Sequence, residues 1–239
     1  MLQQTKGIAL KVTDYSESSV VAQIYTETFG LQSYLINGAK KPRAKISTRM
    51  LQPFHLLELT VYHKETGNLQ RIKEASQSPV LRRIPLDIVK SSLAIYINEV
   101  LYKVLRHQQA DPLLYQFLEH AIIWLDEAET GLANFHLVFL AKLTHFLGFK
   151  PRLSHHRYFN LMEGEFSQQM PPHVFMMDQP YSDILRLIFE SNFSDCNKLK
   201  LSTNDRSYLL EKIIDFYRLH TENFGQLNST AILEQVFEF

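Results

Sequence analysis

The chain has 239 residues, of which 45% are hydrophobic and 21% charged, a composition that is typical of a globular protein and excludes a largely disordered chain. Its formal net charge is zero, but residues 1–78 carry ten Lys and Arg against six Asp and Glu, a balance of +4. Because polyanions are attracted to basic surfaces, this asymmetry favours nucleic-acid contact by the N-terminal part.

The first third of the chain shows the two-residue period of β-strands. Apolar residues alternate with polar ones from Lys6 to about Glu74, and turn-forming residues interrupt the pattern. Five strands in about 70 residues are typical of a small barrel of the OB type, although a five-stranded SH3-like barrel would show a similar pattern. The predicted strands lie near residues 8–12, 20–26, 31–35, 54–62 and 69–74.

A longer loop between the third and fourth predicted strands, Asn37 to Met50, is rich in basic residues; we call it the basic loop. It contains no acidic residue, and Gly38 and Pro42 indicate an irregular conformation. A run of charge is often only a solvated surface, so the loop alone does not distinguish a binding site from an exposed face. Its basic residues are Lys40, Lys41, Arg43, Lys45 and Arg49.

Aromatic residues on the neighbouring predicted strands favour the binding interpretation. They are Tyr25, Tyr34, Phe54 and Tyr62. A cationic groove can follow the phosphates of a single strand while aromatic faces stack on its bases, and the competing role of each ring is to fill the barrel interior. The predicted nucleic-acid-binding site comprises the five basic residues of the loop, the strand residues Lys6, Lys11, Arg71 and Lys73, and the rings of Tyr34 and Phe54.

After Ser78–Pro79 the 3.6-residue period of amphipathic helices replaces the alternation. Asp111 is positioned to cap the second helix and Pro112 to begin it, and the third helix is apolar nearly all round, so we expect it at the centre of the core. The predicted helices lie near residues 86–104, 112–125, 132–147, 182–190 and 203–221, with a short one after Ser229.

The two patterns together predict an α+β multidomain protein. Residues 1–78 are expected to form the OB-type barrel and nucleic-acid-binding domain, and residues 79–239 an all-α helical domain with an irregular insertion at about 151–180. No export signal appears at the N-terminus, and no apolar run approaches the roughly 20 residues that a membrane span needs. Cys196 is the only cysteine, which is typical of a reducing compartment, so we expect a soluble cytoplasmic protein without membrane contact.

No residue pattern indicates catalysis. Glycine-rich phosphate loops and a Gly-x-Ser-x-Gly elbow are absent from the sequence, and one cysteine cannot form a cysteine zinc site. The nearest approach to a metal site is the group His145, His155, His156 and His173. The last three support a metal-dependent hydrolase only weakly, because adjacent rings cannot easily face one ion. We therefore expect no enzymatic activity, no cofactor and no bound metal.

Short motifs spread along the chain are similar to those of a known family. In the first part they are Lys6–Leu10, Asp14–Ser18, Thr26–Gly30, Asn37–Lys41 and Leu51–Phe54, followed by Leu57–Glu58. In the second part they are Leu147–Phe149 with Pro151, Phe159–Phe166, and Tyr217–His220 followed by Ser229 and Ile232–Leu233. In this order they resemble the bacterial recombination mediator family RecO, and the resemblance extends over nearly the whole chain.

The resemblance implies an OB domain and a helical domain that work in DNA repair and recombination. It implies binding of single- and double-stranded DNA, annealing of complementary strands and, with RecR, help for RecA in displacing single-stranded DNA-binding protein, in the nucleoid-associated cytoplasm. It also implies contact with the acidic, Phe-ended C-terminal tail of that protein through a basic and apolar pocket. Candidate residues for that pocket are Lys142, His145 and Arg152.

One departure from the family pattern concerns zinc. Many family members carry a four-cysteine zinc module where Leu153 to Val174 stand here, and this stretch has no cysteine. Zinc is therefore not expected. We expect the insertion to be held instead by packing of Phe159, Leu161, Phe166 and Phe175.

Two hypotheses of different classes follow. The first is a non-enzymatic DNA-binding mediator, in which the loop neutralises phosphates and the barrel stacks bases. The alternative is a protein–protein adaptor whose OB domain binds an acidic peptide. Binding to DNA that weakens as salt is added would distinguish the first from the second.

Overall fold

The computed structural model describes residues 1–64, 67–106 and 108–237. The chain forms two compact units, Met1–Asp126 and Glu127–Phe239. The first unit contains a β-barrel and two helices, and the second contains the remaining helices and a small sheet. The domain boundary predicted near residue 78, where strands give way to helices, falls inside the first unit and stays a prediction.

Five strands of the first unit close into a barrel. They are β1 (Leu2–Asp14), β2 (Val20–Thr26), β3 (Gly30–Ile36), β4 (Leu56–Tyr62) and β5 (Gln70–Gln77), in the order β1-β2-β3-β5-β4. β1 pairs antiparallel with β2 and β4, whereas β3 runs parallel to β5. The barrel is therefore closed by one parallel pair of strands and is not purely antiparallel. The predicted OB-type barrel followed by helices is confirmed.

The first helix, α1 (Ile88–Val104), packs against β1. The side-chain amide of Asn98 donates to the Leu10 carbonyl O at 2.8 Å, and Leu10 and its neighbour Ala9 are both buried. β1 therefore faces the barrel interior on one side and α1 on the other. The second helix, α2 (Pro112–Glu127), begins where predicted, because the Asp111 carboxylate accepts hydrogen bonds from two N–H groups of its first turn.

The predicted start of α1 was wrong by two residues. The Asp87 carboxylate accepts hydrogen bonds from the N–H groups of Val89 and Lys90, so Asp87 is the N-cap and the helix begins at Ile88. Leu86, the first residue of the predicted helix, precedes the cap and is 87% exposed.

One buried carboxylate holds the segment between β5 and α1. Asp126, near the end of α2, accepts hydrogen bonds of 2.7–3.0 Å from the backbone N–H groups of Arg82, Arg83 and Ile84. The Lys90 Nζ atom, also buried, donates to the Asp126 carbonyl O at 2.6 Å. Burial acts to raise the pKa of Asp126, but the three N–H groups and the charge of Lys90 outweigh it, so this pKa lies below its usual value.

The second unit is organised around α3 (Leu132–Phe146), which is buried over most of its circumference, as predicted. α4 (Tyr181–Glu190) and α5 (Thr203–His220) contact α3, a 3₁₀ turn lies at Phe193–Asp195, and α6 (Thr230–Phe237) follows. The Tyr217 hydroxyl donates to the Leu140 carbonyl O at 2.7 Å, which joins α5 to α3. Over residues 1–64, 67–106 and 108–237, no helix combines the length and the apolar character needed to cross a membrane.

The insertion of the second unit forms a small sheet. Its strands β6 (Tyr158–Asn160), β7 (Glu165–Ser167) and β8 (Met176–Met177) lie in the order β7-β6-β8. Phe159, Leu161 and Phe166 are buried, as predicted, but Phe175 is 39% exposed and the packing predicted for its ring was wrong. Within the described residues, no three His, Cys, Asp or Glu side chains are grouped so that they could hold a metal ion.

Candidate nucleic-acid interface

A groove of about 830 Å³ lies beside the basic loop, within the first unit. The loop forms one wall, and the ends of β3, β4 and β5 form the other. We call it the basic groove, because, of the described residues that line it, five are cationic and none is a carboxylate. These five are Lys41, Arg43, Lys45, Arg71 and Lys73.

Buried apolar residues anchor the basic loop on the barrel. Ala39 and Leu51 belong to the barrel core, and Ile46 and Met50 pack against it. The Thr48 N–H donates to the Ala39 carbonyl O at 3.3 Å, which ties the second half of the loop to its beginning. Because these apolar positions are fixed on the core, the five basic side chains between them are turned outward, and all five are exposed.

The strand alternation of β5 places two further cations in the groove. Gln70 is buried and Ile72 packs against the barrel core, so Arg71 and Lys73 point to the outer face. Arg71 lies opposite Tyr62 of β4 and next to Leu35 of β3. The parallel pairing of β3 with β5 therefore brings the β5 cations to the strand from which the loop emerges.

Acidic neighbours already neutralise some of the predicted DNA-binding cations. The Lys40 Nζ atom lies 2.8 Å from Asp14 Oδ1, and the Lys73 Nζ atom lies 3.4 Å from Glu74 Oε1. In contrast, Lys41, Arg43, Lys45, Arg49 and Arg71 have no carboxylate partner within the part of the chain that the structure describes.

Lys6 and Lys11 do not line the basic groove. The Lys6 Nζ atom lies 3.1 Å from Glu119 Oε1, and this hydrogen bond raises the pKa of Lys6. Lys6 also shares a shallow depression with Glu27, Glu58 and Glu74, a setting that repels phosphate. The Lys11 Nζ atom lies 4.8 Å from the centre of the Tyr102 ring in a cation–π contact.

The base-stacking role predicted for Tyr34 and Phe54 is corrected by their burial. Both rings lie inside the first unit with almost no exposed surface, and Tyr25 is buried as well. Tyr62, in contrast, is 47% exposed and lines the basic groove. The signal that could have identified it is the alternation in β4, because the inward-facing Leu57, Leu59 and Val61 leave position 62 on the outer face.

The residues predicted to bind a partner tail lie in the second unit. Lys142 and His145 are one turn apart on α3, and Arg152 follows the helix. Lys142 is half-buried, and burial together with the positive charge of Lys150 lowers its pKa. His145 and Arg152 are exposed, and Arg152 Nη1 lies 3.9 Å from Glu165 Oε2. The tail-binding role of the three residues stays a prediction.

Comparison with known proteins identifies the family. Family models described as Recombination protein O N terminal and C terminal match residues 1–78 and 85–230. The DNA repair protein RecO of Phocaeicola vulgatus is 32% identical over 99% of this chain and 100% of its own length. The RecO proteins of Azobacteroides pseudotrichonymphae and Porphyromonas gingivalis are 34% and 33% identical, each over 100% of both chains. The resemblance found in the sequence is confirmed, and the chain belongs to the RecO family of DNA repair proteins.

Proposed function

We propose that this chain is a non-enzymatic mediator of DNA repair and recombination that holds DNA in the basic groove. Membership of the RecO family supports the role in repair and recombination. The observation that supports the DNA contact is the convergence of five cations from the loop and from β5 on one groove, with no carboxylate among the described residues that line it. Phosphates can enter such a groove without charge repulsion from its walls.

The groove offers each part of a nucleotide a different partner. Lys41, Arg43 and Lys45 on one wall and Arg71 on the other supply cations for successive phosphates, and the exposed face of Tyr62 supplies a stacking surface for a base. None of these contacts depends on base identity, so we expect binding without sequence preference.

We further propose the finer activities that the family resemblance implies. A cationic groove reduces the repulsion between two complementary strands and leaves their base edges free, which would favour annealing. Cooperation with RecR and RecA belongs to the same proposal. So does capture of the acidic tail of single-stranded DNA-binding protein by Lys142, His145 and Arg152, where two cations and a half-buried helix face are available.

Salt dependence tests the DNA contact. A fluorescein-labelled single strand is titrated with the full-length protein at several salt concentrations and followed by anisotropy. Each phosphate contact contributes a slope of about −0.7 to log affinity against log salt, so the four groove cations without a carboxylate partner predict about −2.8. Replacing Lys41, Arg43 and Lys45 by Ala should remove about 2 from the size of this slope.

A matched control removes the same number of charges elsewhere. The control variant combines three substitutions at exposed positions of the second unit, Lys198→Ala, Lys200→Ala and Arg218→Ala. This variant should bind with an unchanged slope. Binding that does not respond to salt would favour the alternative function, an adaptor whose OB domain holds an acidic peptide. Equal losses in the two variants would contradict the assignment of the groove.

A further inference from the structure

A second groove, of about 810 Å³, lies within the first unit. Its walls are the end of the basic loop with the residues that follow it, the segment before α1, and α1 itself. We call it the apolar groove. Its larger apolar lining residues are Met50, Pro53, Leu81, Ile84, Pro85 and Ile95, and the described lining residues include no carboxylate.

Exposed apolar side chains neighbour the lining residues along the chain. Leu86, directly after the lining residue Pro85, is 87% exposed, and Ile88 at the start of α1 is 73% exposed. Ile95 lines the groove and is still 46% exposed. Ile88 and Ile95 are seven residues apart and therefore lie on one face of α1. Single exposed apolar residues are common, but a cluster beside a groove indicates an interaction surface.

The wall of the apolar groove is held rigidly. The Asp126 carboxylate binds the N–H groups of Arg82, Arg83 and Ile84, and Asp87 caps the following helix. Leu86 and Ile88 are thus presented from a backbone that is already ordered. A ligand for such a surface does not have to supply the free energy of ordering it.

The charges around the groove select its occupant. Arg49 lines the groove, and Arg82 is exposed in the segment between the lining residues Leu81 and Ile84. A second copy of this chain is disfavoured, because a two-fold contact would place Arg49 and Arg82 against the same residues. Nucleic acid is disfavoured as well, because the lining offers aliphatic side chains rather than exposed aromatic faces to its bases.

We propose that the apolar groove docks a short segment of a partner protein that carries apolar side chains on one face and acidic residues beside them. The apolar side chains enter between the end of the basic loop and α1, and Leu86 and Ile88 extend the contact. The carboxylates face Arg49 and Arg82. An amphipathic helix with acidic flanks satisfies this chemistry.

A designed peptide tests the proposal. The probe is a fluorescein-labelled helix of about 18 residues with Leu at i, i+3, i+4 and i+7 spacing and Glu on the flanks. It is titrated with the full-length protein and followed by anisotropy. The double variant Leu86→Glu with Ile88→Glu should bind the probe at least about tenfold more weakly, and it should fold, because both side chains are largely exposed.

Matched controls separate the groove from general effects of charge. Leu113→Glu changes another exposed leucine of the same unit, 67% exposed on α2, and should leave probe affinity unchanged. A probe in which every Glu is replaced by Lys should bind at least about tenfold more weakly to the unchanged protein. Binding of single-stranded DNA to the double variant should remain within about twofold of the unchanged protein.

Several outcomes would overturn the proposal. One is that the probe does not bind the unchanged protein at concentrations up to about 1 mM. Another is that the double variant binds the probe as tightly as the unchanged protein does, and a third is that Leu113→Glu weakens probe binding as much as the double variant does. A lysine probe that binds as well as the glutamate probe would also overturn it. A dimer in sedimentation equilibrium that the double variant dissociates would assign the groove to a second copy, and a parallel loss of DNA affinity would assign it to DNA.

Discussion

If the basic groove binds DNA as proposed, Tyr62 is the aromatic residue that would distinguish unpaired from paired bases. Its ring is exposed and lies opposite Arg71, so a base stacked on it would have its phosphate beside a cation. Stacking on one aromatic ring contributes about 1–3 kcal/mol. Tyr62→Leu should therefore weaken single-stranded DNA binding about fivefold or more, measured by anisotropy, whereas Tyr62→Phe should retain it.

Double-stranded DNA provides the internal control for this substitution. Its bases are stacked on one another and have no free face for Tyr62, so Tyr62→Leu should leave duplex affinity nearly unchanged. A variant that loses both affinities equally would show that the ring supports the groove structurally instead of contacting bases.

Asp126 links the stability of the first unit to pH. Its pKa is lowered in the folded chain, because the N–H groups of Arg82, Arg83 and Ile84 favour the carboxylate despite its burial. A lowered pKa stabilises the folded state above the unfolded value of about 4, and this contribution is lost as the pH falls through the folded pKa. Urea unfolding should therefore show a falling free energy of unfolding below about pH 4.

The variant Asp126→Asn isolates this contribution. Its amide cannot accept all three N–H groups equally well, so it should cost about 2–3 kcal/mol at neutral pH and reduce the loss of stability in acid. Glu163→Gln, which changes an exposed carboxyl, serves as the control and should leave both quantities unchanged. If Asp126→Asn unfolds with the same free energy as the unchanged chain, the carboxylate does not hold the segment before α1.

At the level of the elements, the insertion of the second unit is held by direct contacts. Phe159 and Phe166 face each other across the strand pair β6–β7, with ring centres 4.9 Å apart. The Arg157 guanidinium donates two hydrogen bonds, of 2.7 and 2.9 Å, to the Asp178 carboxylate, which lowers the pKa of Asp178. Because Arg157 precedes β6 and Asp178 follows β8, this ion pair joins these two strands.

These contacts predict that the small sheet folds without a metal. Dialysis against EDTA should leave the Tm within about 1 °C, and elemental analysis should find less than about one zinc per ten chains. Phe166→Ala should lower the Tm, because truncating a buried Phe costs about 3–5 kcal/mol. A Tm that falls on EDTA treatment, restored by added zinc, would contradict this account.

The features that could be predicted from the sequence are those determined by residues close together in the chain. The cap at Asp111 and Pro112 and the apolar character of α3 were predictable, because both follow from residues within one helix. The start of α1 was misjudged because Leu86 fits the helical period equally well inside or outside the cap. In β3, Leu31 and Leu35 alternate as an inward face would, but Tyr34 and Ile36 are the residues that are buried.

The candidate site shows the same limit. The basic loop was predictable because it has basic residues and no acidic ones. The contribution of Arg71 and Lys73 to the basic groove depends instead on β5 lying beside β3. The pairing of Lys6 with Glu119, 113 positions away, had no local signal at all. Contacts between distant residues thus decided which cations remained available.

At the scale of the whole molecule, a net charge of zero coexists with an uneven distribution of charged residues. The formal net charge is zero, yet the cations of the basic groove are gathered on one surface of the first unit. Local potential and not net charge determines attraction for a polyanion at distances within the Debye length of about 8–10 Å. Zero net charge is therefore compatible with a polyanionic partner.

The closure of the barrel has a further consequence for its motions. β3 and β5 are joined through only two residue pairs, whereas β1 with β2 and β2 with β3 each share seven. This seam is where we expect the barrel to open first, and the basic groove lies directly over it, with Leu35 and Ile36 on one side and Arg71 and Ile72 on the other. A strand of DNA bound across the groove would hold this seam closed, so binding should slow the hydrogen exchange of backbone amides of β3 and β5 by a larger factor than that of amides of β2.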